Sequence, residues 1–393
     1  MLLDSAIFLL AIVIFGAMFW PGLRRRPRWR AMITPLASII GSGFLVLGPI
    51  LQSEYGGYAP LAMALLCLVA WAFGAAVRVN IAAEDRPARP ERRRIEALAQ
   101  AVLAFAYVIS VAYYLNLFGA FAVALTPWHG AFAGRIVTTA MLLGVGLAGF
   151  SGGFKALERL EYASVALKLA IIAGLILGLA GYFADRAAAG ALVVAAPSLA
   201  PWQALTLGFG LIVTVQGFET ARYLGASYDA PTRIAAMKRA QGLSSAIYLA
   251  YIGLLAYVFA PGSHALSETA IIDMMGVVSP VLPGMLVVAA LAAQLSAAVA
   301  DTSGAGGLTA ELSRGRLPAR PAYLALVAAG TALTWTADLF TIIAYASRAF
   351  AAYYAAQSVL AALESRGARR AGFAALAVLG LLIAVFGAPA EGG

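Results

Sequence analysis

The sequence contains few of the residue types on which catalytic, redox and metal sites depend. Its 393 residues include one cysteine, Cys67, and two histidines, His129 and His264. A single cysteine excludes a disulfide framework and a cysteine-based metal site, and no His-Glu-x-x-His spacing occurs. We therefore predict no metal ion and no cofactor. An enzyme is disfavoured, because its ligands or nucleophile would have to come from these scarce residues.

Charged residues are also scarce, at 11% of the chain, whereas 62% of the residues are hydrophobic. Soluble domains carry about 25% charged and about 45–50% apolar residues, and the mean hydropathy here is +0.88. The pattern predicts an all-α integral membrane protein with about twelve transmembrane helices of about 20 residues each. They are expected near Met1–Trp20, Ala31–Leu51, Ala59–Ala76, Ile95–Leu125, Ile136–Phe150, Tyr162–Phe183, Trp202–Thr220, Gly242–Ala260, Val281–Val299, Tyr323–Leu339, Thr341–Ala362 and Ala371–Phe386.

Positive charge alternates between successive connections. Of the 27 basic residues, 23 fall in every second connection, whereas the alternate connections contain Arg135 and Arg186. By the positive-inside rule the rich set faces the cytoplasm, which places both termini outside a cytoplasmic (inner) membrane. The net charge of +9 then reflects orientation and contact with anionic lipid, and no nucleic-acid partner is predicted. The rich set comprises Arg24–Arg30, Arg78–Arg94, Lys155 with Arg159, Arg222–Arg239, Arg314–Arg320 and Arg366–Arg370.

Four ionisable residues fall inside predicted spans: Lys168, Glu219, Asp301 and Arg348. A charged side chain in lipid costs at least about 2.5–3.5 kcal/mol on insertion scales, so such residues are candidates for function. The alternative is that they pair with one another as structural ion pairs.

Two spans contain helix-breaking glycines beside polar residues. The second span has Gly41-Ser42-Gly43, and the seventh has Gly217 within Gln216–Thr220. Irregular backbone at membrane depth is tolerated where it lines a cavity. Glycine lets a ligand approach the backbone, and the helix N-terminus that follows suits an anionic group. If the leading span is not counted, the two interrupted spans are the first and sixth helices. This placement indicates inverted repeats around a binding site and favours a transporter.

Four stretches also carry a family resemblance, in a consistent order along the chain. They are Ile40–Phe44, Gly153-Phe154-Lys155 with Glu161 and Leu167–Leu169, Gly217–Glu219 with Asp229–Arg233, and Ser313–Pro318. In these stretches the sequence resembles the amino acid–polyamine–organocation (APC) superfamily of transporters. The resemblance implies a leucine-transporter-like fold, in which a five-plus-five inverted-repeat core works by alternating access. The implied divisions are an extra N-terminal helix in 1–23, repeats 31–184 and 201–363 within a core 31–363, and a C-terminal helix and tail in 371–393.

The resemblance implies a substrate class as well. Backbone amides of the first break would bind a substrate carboxylate, and carbonyls of the sixth core helix would bind the amino group of an amino acid or a related small amine or organocation. The implied contact residues are Ile40, Gly41, Ser42, Gly43, Val215, Gln216, Gly217 and Phe218. Uniport, symport and antiport stay open, as does the oligomeric state, for which a homodimer is one alternative.

Lys168 is the leading candidate for coupling transport to protons. The chain has 24 arginines but three lysines, and a buried lysine can lose its proton where arginine stays charged. In proton-coupled relatives, a lysine at this place in the fifth core helix occupies the position of a sodium ion. We therefore expect Lys168 to approach the Gly41 region. The alternative is a permanent cation paired with Asp301 or Glu219.

Other polar residues support further hypotheses. Asp301, Thr302 and Ser303 lie toward the cytoplasmic end of the eighth core helix, where their oxygens would suit a sodium ion. Arg348, in the tenth core helix, is interpreted as a gate, as a counter-charge for Asp301 or Glu219, or as part of a static salt bridge. A channel and a non-transporting sensor on the same fold are the competing functions. A channel would need a continuous polar pore in place of two broken helices.

Overall fold

The computed structural model describes residues 2–41, 43–84, 86, 90–151, 161–225, 227–260, 262, 264–313, 316 and 319–390. Ser42, the Gly153-Phe154-Lys155 motif and most of the segment 314–318 lie outside these residues. All regular elements within the described ranges are helical, which confirms the predicted all-α fold class.

The α-helices of the described ranges follow one another with short connections. In chain order they are α1 (Leu2–Met18), α2 (Pro21–Arg24), α3 (Pro27–Ile39), α4 (Gly43–Tyr55), α5 (Ala59–Ala82), α6 (Pro90–Ala124), α7 (Ala131–Ser151), α8 (Glu161–Ala188), α9 (Pro201–Gly210), α10 (Ala230–Leu255), α11 (Ala270–Val278), α12 (Leu282–Leu312), α13 (Ala319–Thr336), α14 (Leu339–Leu363) and α15 (Gly367–Phe386). Short 3₁₀ segments occupy Gly56–Tyr58, Ile212–Val215 and Phe218–Leu224.

Each predicted span corresponds to a helix or to an interrupted pair of segments. The second span is α3 with α4, and the seventh is α9 followed by two 3₁₀ segments. Six of the described stretches are long and apolar enough to cross a membrane by length and composition: Gly43–Ala82, Pro90–Ala124, Ala131–Ser151, Glu161–Ala188, Leu282–Leu312 and Gly367–Phe386. The helix α11, in the connection before the ninth span, was not predicted, because it is nine residues long.

Aspartates precede and cap two of the core helices. The Asp229 carboxylate accepts a hydrogen bond from the Thr232 amide at 3.0 Å, and Asp338 accepts one from the Thr341 amide at 2.9 Å. Such caps satisfy amides that the first helical turn leaves unpaired. Hydrogen bonds from the Thr232 side chain and backbone hold the pKa of Asp229 below its ordinary value. The starts of α10 and α14 are therefore set locally by the sequence.

Helix packing within the two halves of the core follows matching pairs. In the first half α6 packs against α7, and in the second α12 packs against α13. Two contacts between the halves also have counterparts. The contact of α6 with α14 is matched by the contact of α12 with α8. The contact of α5 with α14 is matched by the contact of α10 with α8. The equivalent helices α5 and α10, α6 and α12, and α7 and α13 also pack against one another. This is the pattern that two related halves would produce.

The leading helix α1 packs against α8, the fifth helix of the core. Ile7 is fully buried and lies over Gly174 and Gly178, where an added Cβ would come within 3.1 Å of its side chain. The Ser279 hydroxyl donates to Asp4 at 2.6 Å. The helix is thus held by close packing and by a polar contact near its start.

The C-terminal helix α15 packs along α14, and the residues after it reach the outer half of the interrupted seventh span. The Ala388 amide donates to the Thr206 carbonyl at 2.8 Å. At Gly210, the last residue of α9, an added Cβ would lie 1.8 Å from the Ala388 carbonyl oxygen. The absence of a side chain at Gly210 therefore allows the C-terminal segment to dock.

Replacing Gly210 with alanine tests this docking. Because backbone would have to move to admit the methyl group, we expect Gly210→Ala to lower the free energy of unfolding by about 1–3 kcal/mol. Gly253→Ala is the matched control, since nothing lies within 4 Å of a Cβ at that position of α10. The control should be neutral or stabilising by about 0.5–1 kcal/mol. Thermal unfolding in detergent measures both, and equal effects would contradict the docking.

Candidate functional site

The first interruption separates α3 from α4. The helix α3 ends at Ile39, where the Ile40 amide makes a last bond to the Leu36 carbonyl at 3.1 Å, and α4 begins at Gly43. The gap leaves carbonyls at the end of α3 and amides at the start of α4 without helical partners. The sequence predicted this break from its two glycines. Of its predicted contact residues, Ile40, Gly41 and Gly43 are described.

The second interruption lies in the seventh span. The helix α9 ends at Gly210, a 3₁₀ turn covers Ile212–Val215, and Gln216 is extended. Gly217 has φ +111°, a left-handed conformation that favours glycine, before a second 3₁₀ segment begins at Phe218. All four predicted contact residues from Val215 to Phe218 therefore lie in or beside irregular backbone.

The two interruptions pack directly against each other. An added Cβ at Gly43 would lie 2.6 Å from the Thr214 side chain, and one at Gly217 would lie 2.5 Å from the Ser38 side chain. The absence of side chains at Gly43 and Gly217 therefore permits the close approach of the two broken spans. Residues some 170 positions apart along the chain form one central region.

A tyrosine from α10 bridges the two breaks. The Tyr248 hydroxyl lies 3.1 Å from the Ile39 carbonyl and 2.6 Å from the Thr214 carbonyl, so one donor serves both chain segments. The Tyr248 ring also contacts Phe44 at the start of α4, with ring centroids 5.3 Å apart. Sequence reasoning missed Tyr248, because no local signal links it to the breaks.

Lys168 reaches the first break, as expected. Its ammonium is 3% exposed and donates to the Ala37 carbonyl at 2.5 Å. This carbonyl belongs to the last turn of α3, where a positive charge also interacts favourably with the helix dipole. In the structure Lys168 does not pair with Asp301 or Glu219, the alternative considered above, because both carboxylates accept hydrogen bonds from other groups.

Glu219 is buried beside the second break. Its carboxylate accepts hydrogen bonds from the Gly217 amide at 3.0 Å and from the Tyr354 hydroxyl at 2.6 Å. The Tyr354 hydroxyl also lies 3.0 Å from the Gln216 side-chain oxygen. The Tyr354 ring stacks on Phe218, with centroids 5.0 Å apart. Glu219 thus holds the irregular backbone through its own carboxylate and through Tyr354.

Asp301 lies on α12 and accepts a hydrogen bond from the Ser110 hydroxyl of α6. It interacts electrostatically with Glu219, and both residues are buried. The neighbouring Thr302 is fully buried and its hydroxyl donates back to the Ala298 carbonyl at 2.7 Å, whereas Ser303 is partly exposed. The predicted residues Asp301, Thr302 and Ser303 therefore lie within one turn of α12, and Asp301 is hydrogen-bonded to α6.

Arg348 does not pair with Asp301 or Glu219, which corrects that part of the sequence interpretation. Its guanidinium donates to the Val385 carbonyl at 2.5 Å, at the C-terminal end of α15. A positive charge is favourable at such a helix end. The sequence argument considered acidic partners and did not consider a helix terminus almost 40 residues away.

A hydrogen-bonded network closes the end of the protein that carries the arginine-rich connections. The buried Arg222 guanidinium contacts the Glu96 carboxylate at 2.8 Å and donates to the Gln357 side chain at 2.5 Å. The Asn80 amide donates to the same Gln357 oxygen at 2.7 Å. These residues come from α5, α6, α14 and the second 3₁₀ segment of the seventh span, so they join both halves of the core.

Two further arginines extend this closure. Arg233 at the start of α10 contacts Glu84 at 2.7 Å and donates to the Arg222 carbonyl at 2.6 Å. Arg92 at the start of α6 lies 3.4 Å from Glu364, beyond the end of α14. In the sequence, the distribution of positive charge assigned these arginines to the connections that face the cytoplasm. Their pairing was missed, because the partners are distant in sequence.

The opposite end contains a cavity of about 660 Å³. Its lining includes Asn116 and Ala120 of α6 together with the charged residues Arg135, Glu268, Asp273 and Asp338. Beside the breaks, Ile39, Val215 and Tyr248 border a void of about 10 Å³, which is no larger than one water molecule needs. The two breaks are thus closely packed at the centre, and the large cavity lies at the end opposite the arginine network.

These features define a multi-pass, all-helical membrane protein whose two interrupted helices meet at its centre. A family model described as an APC superfamily transporter matches residues 21–387. The chain belongs to the APC superfamily of transporters, as the resemblance predicted, and this membership is compatible with its not being an enzyme. It is 39% identical over 376 residues to an uncharacterized protein of Aquifex aeolicus (strain VF5), covering 93% of this chain and 91% of that protein.

Two tyrosines of α10 test how the breaks are stabilised. We expect Tyr248→Phe to destabilise the protein by about 1–3 kcal/mol, because it leaves buried carbonyls without their donor. Tyr251→Phe is the matched control: this tyrosine also packs on Phe44, but its buried hydroxyl has no hydrogen-bond partner among the described residues. The control should be neutral or stabilising. Thermal unfolding compares them, and an equal loss in both variants would refute the bridging role.

Proposed function

We propose that the protein is a secondary active transporter that moves an amino acid, or a related small amine or organocation, by alternating access. The observation that carries this proposal is the direct contact of two interrupted helices, with Lys168 bound to the end of one of them. The proposed location is the cytoplasmic membrane, with the arginine-rich end in the cytoplasm and both termini outside.

The proposed substrate contacts are backbone groups at the two breaks. Amides at the start of α4, from Gly41 to Gly43, would bind a carboxylate, because a helix N-terminus favours negative charge. Carbonyls from Val215 to Phe218 would accept hydrogen bonds from an amino group. The close packing of Gly43 on Thr214 supports a shared site, since groups from both breaks would face one small molecule.

Lys168 is the proposed proton switch. As a cation it donates to Ala37 and complements the dipole of α3; as a neutral amine it would lose the charge interaction and loosen the first break. Buried Glu219 and Asp301 would exchange protons or balance charge in the same region. Sodium coupling through Asp301, Thr302 and Ser303, or substrate exchange, is the alternative coupling mode.

The closed arginine network and the cavity at the other end support alternating access. In this conformation the substrate would enter through the 660 Å³ cavity, and Arg222 would have to leave Glu96 for release on the opposite side. The paired helix packing supports the proposed repeats 31–184 and 201–363 as the two halves that move. A continuous pore, as a channel requires, is disfavoured by the closed centre.

Replacing Lys168 tests the proposal most directly. In proteoliposomes with an imposed proton gradient, the wild type should accumulate labelled members of a panel of amino acids and amines. We expect Lys168→Ala to abolish proton-driven accumulation, because the variant lacks the proposed proton switch at the end of α3. Lys168→Arg should fail too, since arginine stays charged. Lys238→Ala, which changes an exposed lysine, should transport like the wild type.

The outcomes separate the competing functions. Proton-driven uptake by Lys168→Ala at the wild-type rate would rule out the switch. Flux that only dissipates a gradient would indicate a channel, and binding without flux would indicate a sensor. Thermal unfolding of each variant distinguishes a transport defect from a folding defect.

A further inference from the structure

Gln294 of α12 is a buried amide without a hydrogen-bond partner. Its side chain is 0% exposed, and neither its oxygen nor its nitrogen has a partner among the described residues. Gln241, equally buried on α10, provides the contrast: it accepts from Arg78 at 2.5 Å and donates to the Ala70 carbonyl at 2.9 Å. Leaving a buried amide unpaired is costly, so a partner is expected at Gln294 in some functional state.

The position of Gln294 is fixed by the register of α12 against α6. Gln100 contacts Glu311, and Ser110 contacts Asp301, so the two helices run antiparallel and each step along one matches a step back along the other. This register sets Gln294 level with Leu117. The neighbouring Asn116 lines the large cavity. Gln294 therefore lies at the level of the cavity floor.

Tyr114 of α6 lies about one helical turn from Leu117, in the direction of Ser110. Tyr114 of α6 interacts electrostatically with both Asp301 and Tyr248, and Tyr248 bonds to the backbone at the breaks. Gln294 is seven residues before Asp301, so both project from one face of α12. Gln294 thus lies on the face of α12 that carries Asp301, at the level where Asn116 lines the cavity.

The neighbours of Gln294 on its own face of α12 offer it no hydrogen-bonding side chain. The residues one turn away on the same face include Ala290, Ala297 and Ala298, whose methyl groups are small and form no hydrogen bonds. An amide offers both donors and an acceptor. It therefore suits a ligand group that can accept and donate, such as a carboxamide or a hydroxyl.

We propose that Gln294 binds the polar end of the substrate side chain and selects substrates that carry a carboxamide or hydroxyl group over their apolar isosteres. This inference rests on the proposed function. A site that hydrogen-bonds its substrate rejects an analogue without the polar group strongly, because the buried amide is then left unpaired. Gln294 is thereby a specificity residue, distinct from the contacts at the breaks.

Stability and selectivity should change in opposite directions in Gln294→Met. Without ligand, this variant should unfold about 2 °C or more above the wild type, because the unpaired amide is removed. Gln241→Met, the matched control, should unfold below the wild type, because it loses two hydrogen bonds and leaves Arg78 unpaired. A Gln294→Met variant as destabilised as Gln241→Met would show that Gln294 has a structural partner, and would overturn the inference.

Selectivity is measured with pairs of similar shape: glutamine with methionine, asparagine with leucine, and threonine with valine. Ligand-induced thermal shifts should show a preference of the wild type for the polar member of at least one pair, by about tenfold or more in affinity. Gln294→Met should reduce that preference to within about threefold. Equal binding of both members by the wild type, or an unchanged preference in the variant, would overturn the inference. No shift with any of the six would overturn the inference, whereas the proposed function is overturned only if the uptake panel of amino acids and amines also shows no accumulation.

Discussion

Inside a bilayer every backbone amide and carbonyl needs a partner, and the two helix interruptions are where this requirement is hardest to meet. The chain meets it with side chains from other helices: Lys168 for the end of α3, Tyr248 for carbonyls of both breaks, and Glu219 for the Gly217 amide. The amides that begin α4 are those that we propose for a substrate carboxylate. The proposed binding site and its supports thus arise from one constraint, and the proposed proton switch, Lys168, is among those supports.

The same arrangement gives the protein two different ends. At one end, Arg222 and Arg233 join α5, α6, α10 and α14 through buried charge-assisted contacts. At the other, a large cavity borders α6 at the level of Gln294. Charge-assisted bonds of this kind are strong but can be exchanged for water. This makes them suitable for the closure that would have to open in each cycle of the proposed alternating access.

Sequence reasoning succeeded where the signal is local. Spans follow from the length of apolar runs, and both breaks follow from glycine beside polar residues, as at Gly41–Gly43 and Gly217. The approach of Lys168 to the first break came from the family resemblance and is met in the structure. Arg348 was misread because its partner is a helix terminus. The roles of Tyr248 and Arg222 depend on packing between residues far apart in the chain, and no single-sequence pattern encodes it.

Alternating access is tested most directly by measuring the accessibility of thiols at the cavity end and at the arginine-network end of the same protein. In a Cys67→Ser background, Ala120→Cys reports on the cavity, and Ala221→Cys reports on the fully buried position beside Arg222. Alternating access predicts that a membrane-impermeant thiol reagent labels position 120 but not 221 in the substrate-free protein. A mixture of the common amino acids with a proton gradient should then shift labelling toward 221 and away from 120. Simultaneous labelling of both positions, or no change with amino acids, would contradict the account.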